Sequence, residues 1–117
     1  MTDKKPNLSV EINGIDMATP LVLASGCCGY ATELNEIEGF SWDFVGAVVL
    51  KSLSLNPRLG KAVPRIAETP AGMLNAIGLQ NAGVDEFVKT TVPRLMSVPA
   101  PIVVSIIGET VDEYWQV

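Results

Sequence analysis

Histidine is absent from all 117 residues, aromatics make up only 6%, and there are just two cysteines. Without imidazole the chain can build no histidine triad, no His-ligated zinc site and no imidazole acid–base step. Proton transfer would fall to Cys, Lys, Asp, Glu, Tyr or a bound cofactor. The longest apolar runs last a few residues, far below the roughly 20 that span a bilayer. Met1-Thr2-Asp3-Lys4-Lys5 leads into no signal-peptide apolar core. The chain therefore reads as cytoplasmic, with no membrane partner. Basic residues are scarce too: 8 Lys and Arg against 13 Asp and Glu give a net charge of -5 with no basic stripe, which argues against nucleic acid. Cys27 and Cys28 are adjacent, which suits neither a disulfide framework nor a CxxC motif. They read as reduced packing residues beside a turn, and no metal site is expected.

What is present, 48% hydrophobic and 18% charged residues, is the composition of one compact unit. Leu8 to Ile12 alternate, Asn13-Gly14 is a strong hairpin signal, and Ile15 to Ala18 can return as the partner strand. Leu21 to Ala24 fits a strand buried on both faces, Thr32 to Ile37 a short helix, and Phe44 to Leu50 a second buried strand. Leu53 to Gly83 carries Pro57, Pro64, Pro70, Gly60, Gly72, Gly78 and Gly83. So many breakers predict a long functional loop with short strands of its own. Val84 to Met96 has helical spacing with a distortion at Pro93. Ile102 to Ile107 reads as a third buried strand, and Thr110 with Glu113 forms a capping-box pattern opening another helix. Met73 and Met96 read as core fillers.

This order is the grammar of a parallel α/β protein with right-handed crossovers. Three strands would leave an edge and much apolar surface uncovered, and an eight-stranded α/β barrel normally needs about 250 residues. The chain thus reads as the first portion of something larger.

Ligands of such folds bind at the carboxyl ends of strands. Lys51 follows four apolar residues, so its ammonium would emerge at that rim and suit an anion; alternatively it snorkels and pairs with a surface carboxylate. Ala24-Ser25-Gly26 would let backbone approach a ligand, or is simply turn chemistry. Asn75-Ala76-Ile77-Gly78-Leu79 pairs a side-chain amide with a glycine-bearing backbone able to point N–H groups at a carboxylate or imide. Its plainer alternative is a turn with an Asn cap.

Taken in order, Leu23-Ala24-Ser25-Gly26-Cys27, Val49-Leu50-Lys51-Ser52, Asn56-Pro57-Arg58, Pro64-Arg65-Ile66-Ala67-Glu68-Thr69-Pro70, Gly72-Met73-Leu74-Asn75-Ala76-Ile77-Gly78-Leu79-Gln80-Asn81 and Pro101-Ile102-Val103-Val104 resemble the N-terminal part of dihydroorotate dehydrogenases. The match is best to the class 1B, NAD-linked catalytic subunits. The resemblance implies the N-terminal part of an FMN-binding (β/α)8 TIM barrel with an opening β-hairpin and about three barrel strands, truncated on its C-terminal side. It implies oxidation of dihydroorotate to orotate in pyrimidine biosynthesis. Ser25, Lys51, Ser52 and Ser105 would contact FMN. Lys51 would also touch the substrate, Asn75 would hydrogen-bond orotate, and the backbone of Ala76, Ile77, Gly78 and Leu79 would grip its carboxylate and ring. The implied partner is an electron-transfer subunit with FAD and a 2Fe-2S cluster, in a heterotetramer built on a homodimer, with NAD as final acceptor. The catalytic base would be a cysteine beyond Val117, a role that neither Cys27 nor Cys28 inherits. Three positions depart from the family pattern: Ser105 stands where Asn is usual, Ala71-Gly72 replaces Gly-Gly, and Cys28 replaces Phe or a similar residue. The competing expectation is a non-catalytic truncated paralogue or binding module that keeps the orotate loop.

Overall fold

The computed structural model describes residues 6–117, so Met1–Lys5, on which the reading of the N-terminal segment rested, lie outside the described residues. Two compact units form: the chain up to Lys51 with Arg94–Val104, and Ser52–Pro93 with Ser105–Val117. The strands among the described residues are β1 (Val10–Ile12), β2 (Ile15–Met17), β3 (Val22–Leu23), β4 (Ala47–Val49), β5 (Ile66–Thr69), β6 (Gly72–Asn75) and β7 (Ile102–Val103). The α-helical segments are α1 (Val84–Glu86), α2 (Val92–Leu95) and α3 (Val111–Gln116). No helix among the described residues is long and apolar enough to cross a membrane.

In the first unit β1 and β2 pair antiparallel, Ile12 opposite Ile15. Asn13 and Gly14 between them have φ of 51° and 82°, the paired left-handed residues that a two-residue hairpin requires and that Asn-Gly supplies. β3, β4 and β7 form a parallel sheet in that order. Its register sets Leu23 against Val48 and Val49 against Val103. The central strand is the most deeply buried, with Ala47 at 2% exposure and Val48 and the following Leu50 at 0%. A continuous apolar run is what a strand flanked on both edges and covered on both faces needs. The Val48 N–H donates to the Pro101 carbonyl and the Leu50 N–H to the Val103 carbonyl, both at 2.9 Å.

Several expectations need correction. Leu21 and Val22 are exposed, not buried, because β3 pairs with β4 on one edge and with no other described strand. The strand expected from Phe44 begins at Ala47. Phe44 instead closes a 3-10 turn, Trp42–Phe44, whose cap residue Ser41 accepts from the Asp43 N–H at 3.2 Å. The helix expected over Thr32 to Ile37 is a 3-10 turn, Thr32–Glu36, entered through Ala31 in the left-handed region. Met96 is exposed and fills no core.

In the second unit β5 and β6 form a hairpin from Ile66↔Asn75 to Thr69↔Gly72, the short strands expected within the long loop. All eight of its residues are exposed, Met73 included, so Met73 is not a core filler. Leu53 and Ile106 make an isolated parallel bridge. The third expected strand is therefore regular only at Ile102–Val103, with Val103, Val104 and Ile106 exposed instead of buried. The helix beginning at Val84 changes to a π turn over Phe87–Thr91, where the Val92 N–H bonds the Phe87 carbonyl. Pro93 lacks an N–H for the preceding turn, and the distortion is expressed N-terminal to it. At α3, Thr110 accepts from the Glu113 N–H at 3.2 Å. The Glu113 carboxylate reaches back to the Glu109 N–H, one residue earlier than a capping box places it.

The burial contrast gives a stability test in the protein that carries this sequence. Leu50→Ala should lower the unfolding free energy by about 3 kcal/mol. Leu59→Ala, at a position 87% exposed, should change it by less than about 0.5 kcal/mol. Equal costs in chemical denaturation would show that the central strand is not the core.

Candidate functional site

Lys51 leaves the sheet directly behind Leu50. Its backbone N–H donates to the Gly29 carbonyl at 2.9 Å, and its side chain is half-buried. The amine lies 3.6 Å from where a Cβ on Gly26 would stand, so a bare backbone faces the ammonium. Among the described residues the one ion pair is Arg58–Glu109 at 2.9 Å. Among the described residues Lys51 therefore pairs with no surface carboxylate. Ser25 Oγ donates to the Leu50 carbonyl at 2.8 Å, which ties the small-residue turn to the strand end. That bond commits the only proton of the hydroxyl, so toward a ligand Ser25 acts as an acceptor.

In the second unit the hydroxyls of Ser52 and Ser105 lie 2.8 Å apart, either able to donate. One hydroxyl proton closes that contact and the other stays available to a ligand. Ser105 therefore reaches Ser52.

Asn75 ends β6, exposed and opposite Ile66. The next amide corrects an expectation: the Ala76 N–H donates to the Arg65 carbonyl at 2.8 Å and is not free to hold a ligand. The N–H groups of Ile77, Gly78 and Leu79 have no acceptor among the described residues. Gly78 has φ of 76° and Leu79 of 53°. At Gly78 a Cβ would sit 2.8 Å from the backbone nitrogen of Lys61, so glycine is needed for closeness as well as for φ. A leucine in the left-handed region costs on the order of 1 kcal/mol and persists only where its surroundings fix it. Successive unclaimed amides of this kind form a concavity for anions.

The charge beside them agrees. A cleft of about 400 Å³ is lined by Arg58, Leu59, Gly60, Lys61, Gly78 and Leu79, which sets Lys61, and an Arg58 already paired with Glu109, beside the amides of Gly78 and Leu79. Arg65 folds back onto the loop, donating to the carbonyls of Leu59 at 2.9 Å and Lys61 at 2.5 Å and to the Gln80 side chain.

Sequence reasoning passed over Asn81. It is 8% exposed, and its side chain bonds Ser54, Leu79 and Gly83. The one signal was an amide residue ending the Asn75 block, which looks the same whether buried or exposed.

Cys27 is exposed, so the packing role holds at most for the half-buried Cys28; both are free. Burial pushes the Cys28 thiol up, with Cys27 and Glu33 adding to it against a backbone hydrogen bond that lowers it. Among the described residues no group of three or more His, Cys, Asp or Glu could hold a metal ion.

A family model for dihydroorotate dehydrogenase matches residues 7–117. The chain belongs to the dihydroorotate dehydrogenase family. It is 49% identical over 111 residues to the Geobacter sulfurreducens protein named dihydroorotate dehydrogenase B (NAD(+)), catalytic subunit, covering 95% of this chain and 36% of that one. An Aquifex aeolicus protein provisionally named dihydroorotate dehydrogenase A (fumarate) is also 49% identical over 111 residues, with the same coverages. The chain thus spans about a third of the length of the relatives it matches. A solved DHODH from Eimeria tenella, in complex with ferulenol, superposes with a TM-score of 0.55 at 22% identity, over 91% of this chain and 29% of that one. At that identity the likeness concerns the fold, and the parallel β3-β4-β7 sheet fits part of an α/β barrel.

The family is flavin-dependent. Each unit has polar groups of the kind such a group needs: in the first, a bare glycine backbone beside an ammonium that pairs with no carboxylate among the described residues, and in the second, a hydroxyl pair with one proton to give. The thiols give a test of the local electrostatics. In a Cys27→Ser variant, the pH midpoint for alkylation of Cys28 by iodoacetamide should lie above that of a free cysteine peptide, because the folded protein holds the thiol protonated. A midpoint at or below the peptide's would contradict the burial.

Proposed function

We propose that this chain supplies the first strands and the substrate loop of an FMN-binding α/β barrel that oxidises dihydroorotate to orotate in pyrimidine biosynthesis. The observation that carries the proposal is Asn75 followed by three N–H groups, those of Ile77, Gly78 and Leu79, that no acceptor among the described residues claims. A planar ring with an imide edge and a carboxylate offers such a loop one partner for the side-chain amide and one for the amide cradle.

FMN, when bound, supplies the hydride acceptor. Lys51 brings a fixed positive charge to the strand end, where negative charge builds up as the substrate is oxidised; a preorganised charge does this without the reorganisation that water would need. Ser25 accepts, and Ser52 with Ser105 donates, to polar edges of the flavin ring. Asn75 donates to and accepts from the substrate ring, and the amides of Ile77, Gly78 and Leu79 hold its carboxylate. This fixes the substrate plane, so that orientation is achieved before chemistry. No histidine is present to act as base, and none of the residues assigned above takes that role.

We also assign an electron-transfer partner subunit with FAD and a 2Fe-2S cluster, NAD as final acceptor, a homodimer within a heterotetramer, and a cytoplasmic location. The name of the Geobacter sulfurreducens relative, a catalytic subunit of an NAD(+) enzyme, supports the partner subunit and the NAD acceptor.

Anaerobic stopped-flow absorbance of the flavin tests the assignment of Lys51 in the protein that carries this sequence. Lys51→Ala should slow flavin reduction by dihydroorotate about 100-fold or more, with the unfolding midpoint unchanged. An unaltered rate would remove Lys51 from the reaction. Reoxidation by fumarate without a partner subunit would replace the NAD assignment and leave the rest standing.

A further inference from the structure

We infer that Asn81 is a positioning residue for substrate binding, the tether that holds Leu79 in the left-handed conformation that aims the amides of Gly78 and Leu79 at an anion. The inference rests on the functional reading above and adds to it a residue that touches no ligand.

Asn81 is held from every side. Its backbone pairs both ways with Arg58, at 2.8 and 3.0 Å. Its Oδ1 accepts from the Gly83 N–H at 2.9 Å and the Ser54 N–H at 3.2 Å. Its Nδ2 donates to Ser54 Oγ at 2.9 Å and to the Leu79 carbonyl at 2.8 Å. Both Nδ2 protons and both Oδ1 lone pairs are thereby used, and the side chain has one orientation available. Ser54 is itself buried, 3% exposed, and its hydroxyl donates to the Asn56 carbonyl at 2.7 Å. The anchor is therefore rigid on the side away from the loop.

The one contact that faces the cradle is the bond to Leu79. Leu79 is not glycine and has φ of 53°, a conformation leucine leaves unless something holds it. A donor fixed on its carbonyl sets the peptide that follows Leu79, and through the leucine's own dihedrals it sets the N–H groups before it. Without that donor Leu79 would relax, and the concavity formed with Gly78 would open.

Asn81→Asp tests this most cleanly, because it keeps the shape and the accepting oxygen but turns an acceptor toward the Leu79 carbonyl. In the flavin-loaded protein that carries this sequence, orotate dissociation constants read from flavin absorbance, with KM and kcat for dihydroorotate, should show orotate binding weakened about fivefold or more. KM should rise in parallel, while kcat at saturating substrate and flavin content stay near wild type. A purely structural role would move the unfolding midpoint and leave the ratio of KM to kcat alone, and that result overturns the inference. If Asn81→Asp does not accumulate as folded protein, Asn81→Ser decides, since it removes the donor to the Leu79 carbonyl with a small polar side chain: weakened orotate binding supports the tether, and wild-type binding overturns it. Asn75→Ala separates the two levels. If it too leaves orotate affinity unchanged, the functional reading has failed and the tether falls with it; if it weakens orotate while Asn81→Asp does not, the tether alone is wrong.

Discussion

The parallel ladder through β4 is the constraint on which the rest depends. Val48 and Leu50, both at 0% exposure, donate to Pro101 and Val103, so the strand's carboxyl end is fixed in register before any polar side chain appears. Side chains alternate along a strand and parallel strands share one direction, so whatever follows Leu50 must leave at the edge where loops gather. Lys51 takes that position, and the Ser25 hydroxyl bonded to the Leu50 carbonyl pins the neighbouring turn to the same place. A cation placed this way is held by burial behind it and needs no carboxylate to fix it.

The second unit handles polarity differently. Its hairpin is exposed on all eight strand residues, and little apolar burial holds the loop beyond it. Order comes from hydrogen bonds: Arg65 folded onto three partners, and the Asn81–Ser54 pair buried beneath. Such networks give one arrangement when every group is satisfied and become costly when one partner is lost. Among the described residues the amides of Ile77, Gly78 and Leu79 are left over, and Gly78 and Leu79 line a cleft with Arg58 and Lys61, a surplus that suits the proposed anion.

Much of this was legible in the residues. Asn13-Gly14 specifies its hairpin through local backbone chemistry alone, and the apolar run ending at Lys51 specifies the central strand. Thr110 announces its cap for the same reason. Positions decided by neighbours far along the chain were not legible. Leu21 and Val22 look like core residues until β3 proves to be an edge. Phe44 reads as strand because its pattern continues into Val45, yet the Ser41 cap closes a turn first. Met73 and Met96 are apolar but exposed, which composition cannot reveal. At the site, the Ala76 amide looked available because nothing in the sequence shows that Arg65 claims it. Asn81 could not be told from a surface asparagine until its four side-chain bonds were seen.

The account proposes that Asn75 and the turn at Gly78 act on one small ligand. A double-mutant cycle on orotate affinity, with Gly78→Ala, Asn75→Ala and the pair in the flavin-loaded protein, tests that most directly. The account predicts that the double variant departs from the sum of the singles by at least about 0.5 kcal/mol. Losses that add to within about 0.3 kcal/mol would mean that the two residues serve separate ends, and would contradict it.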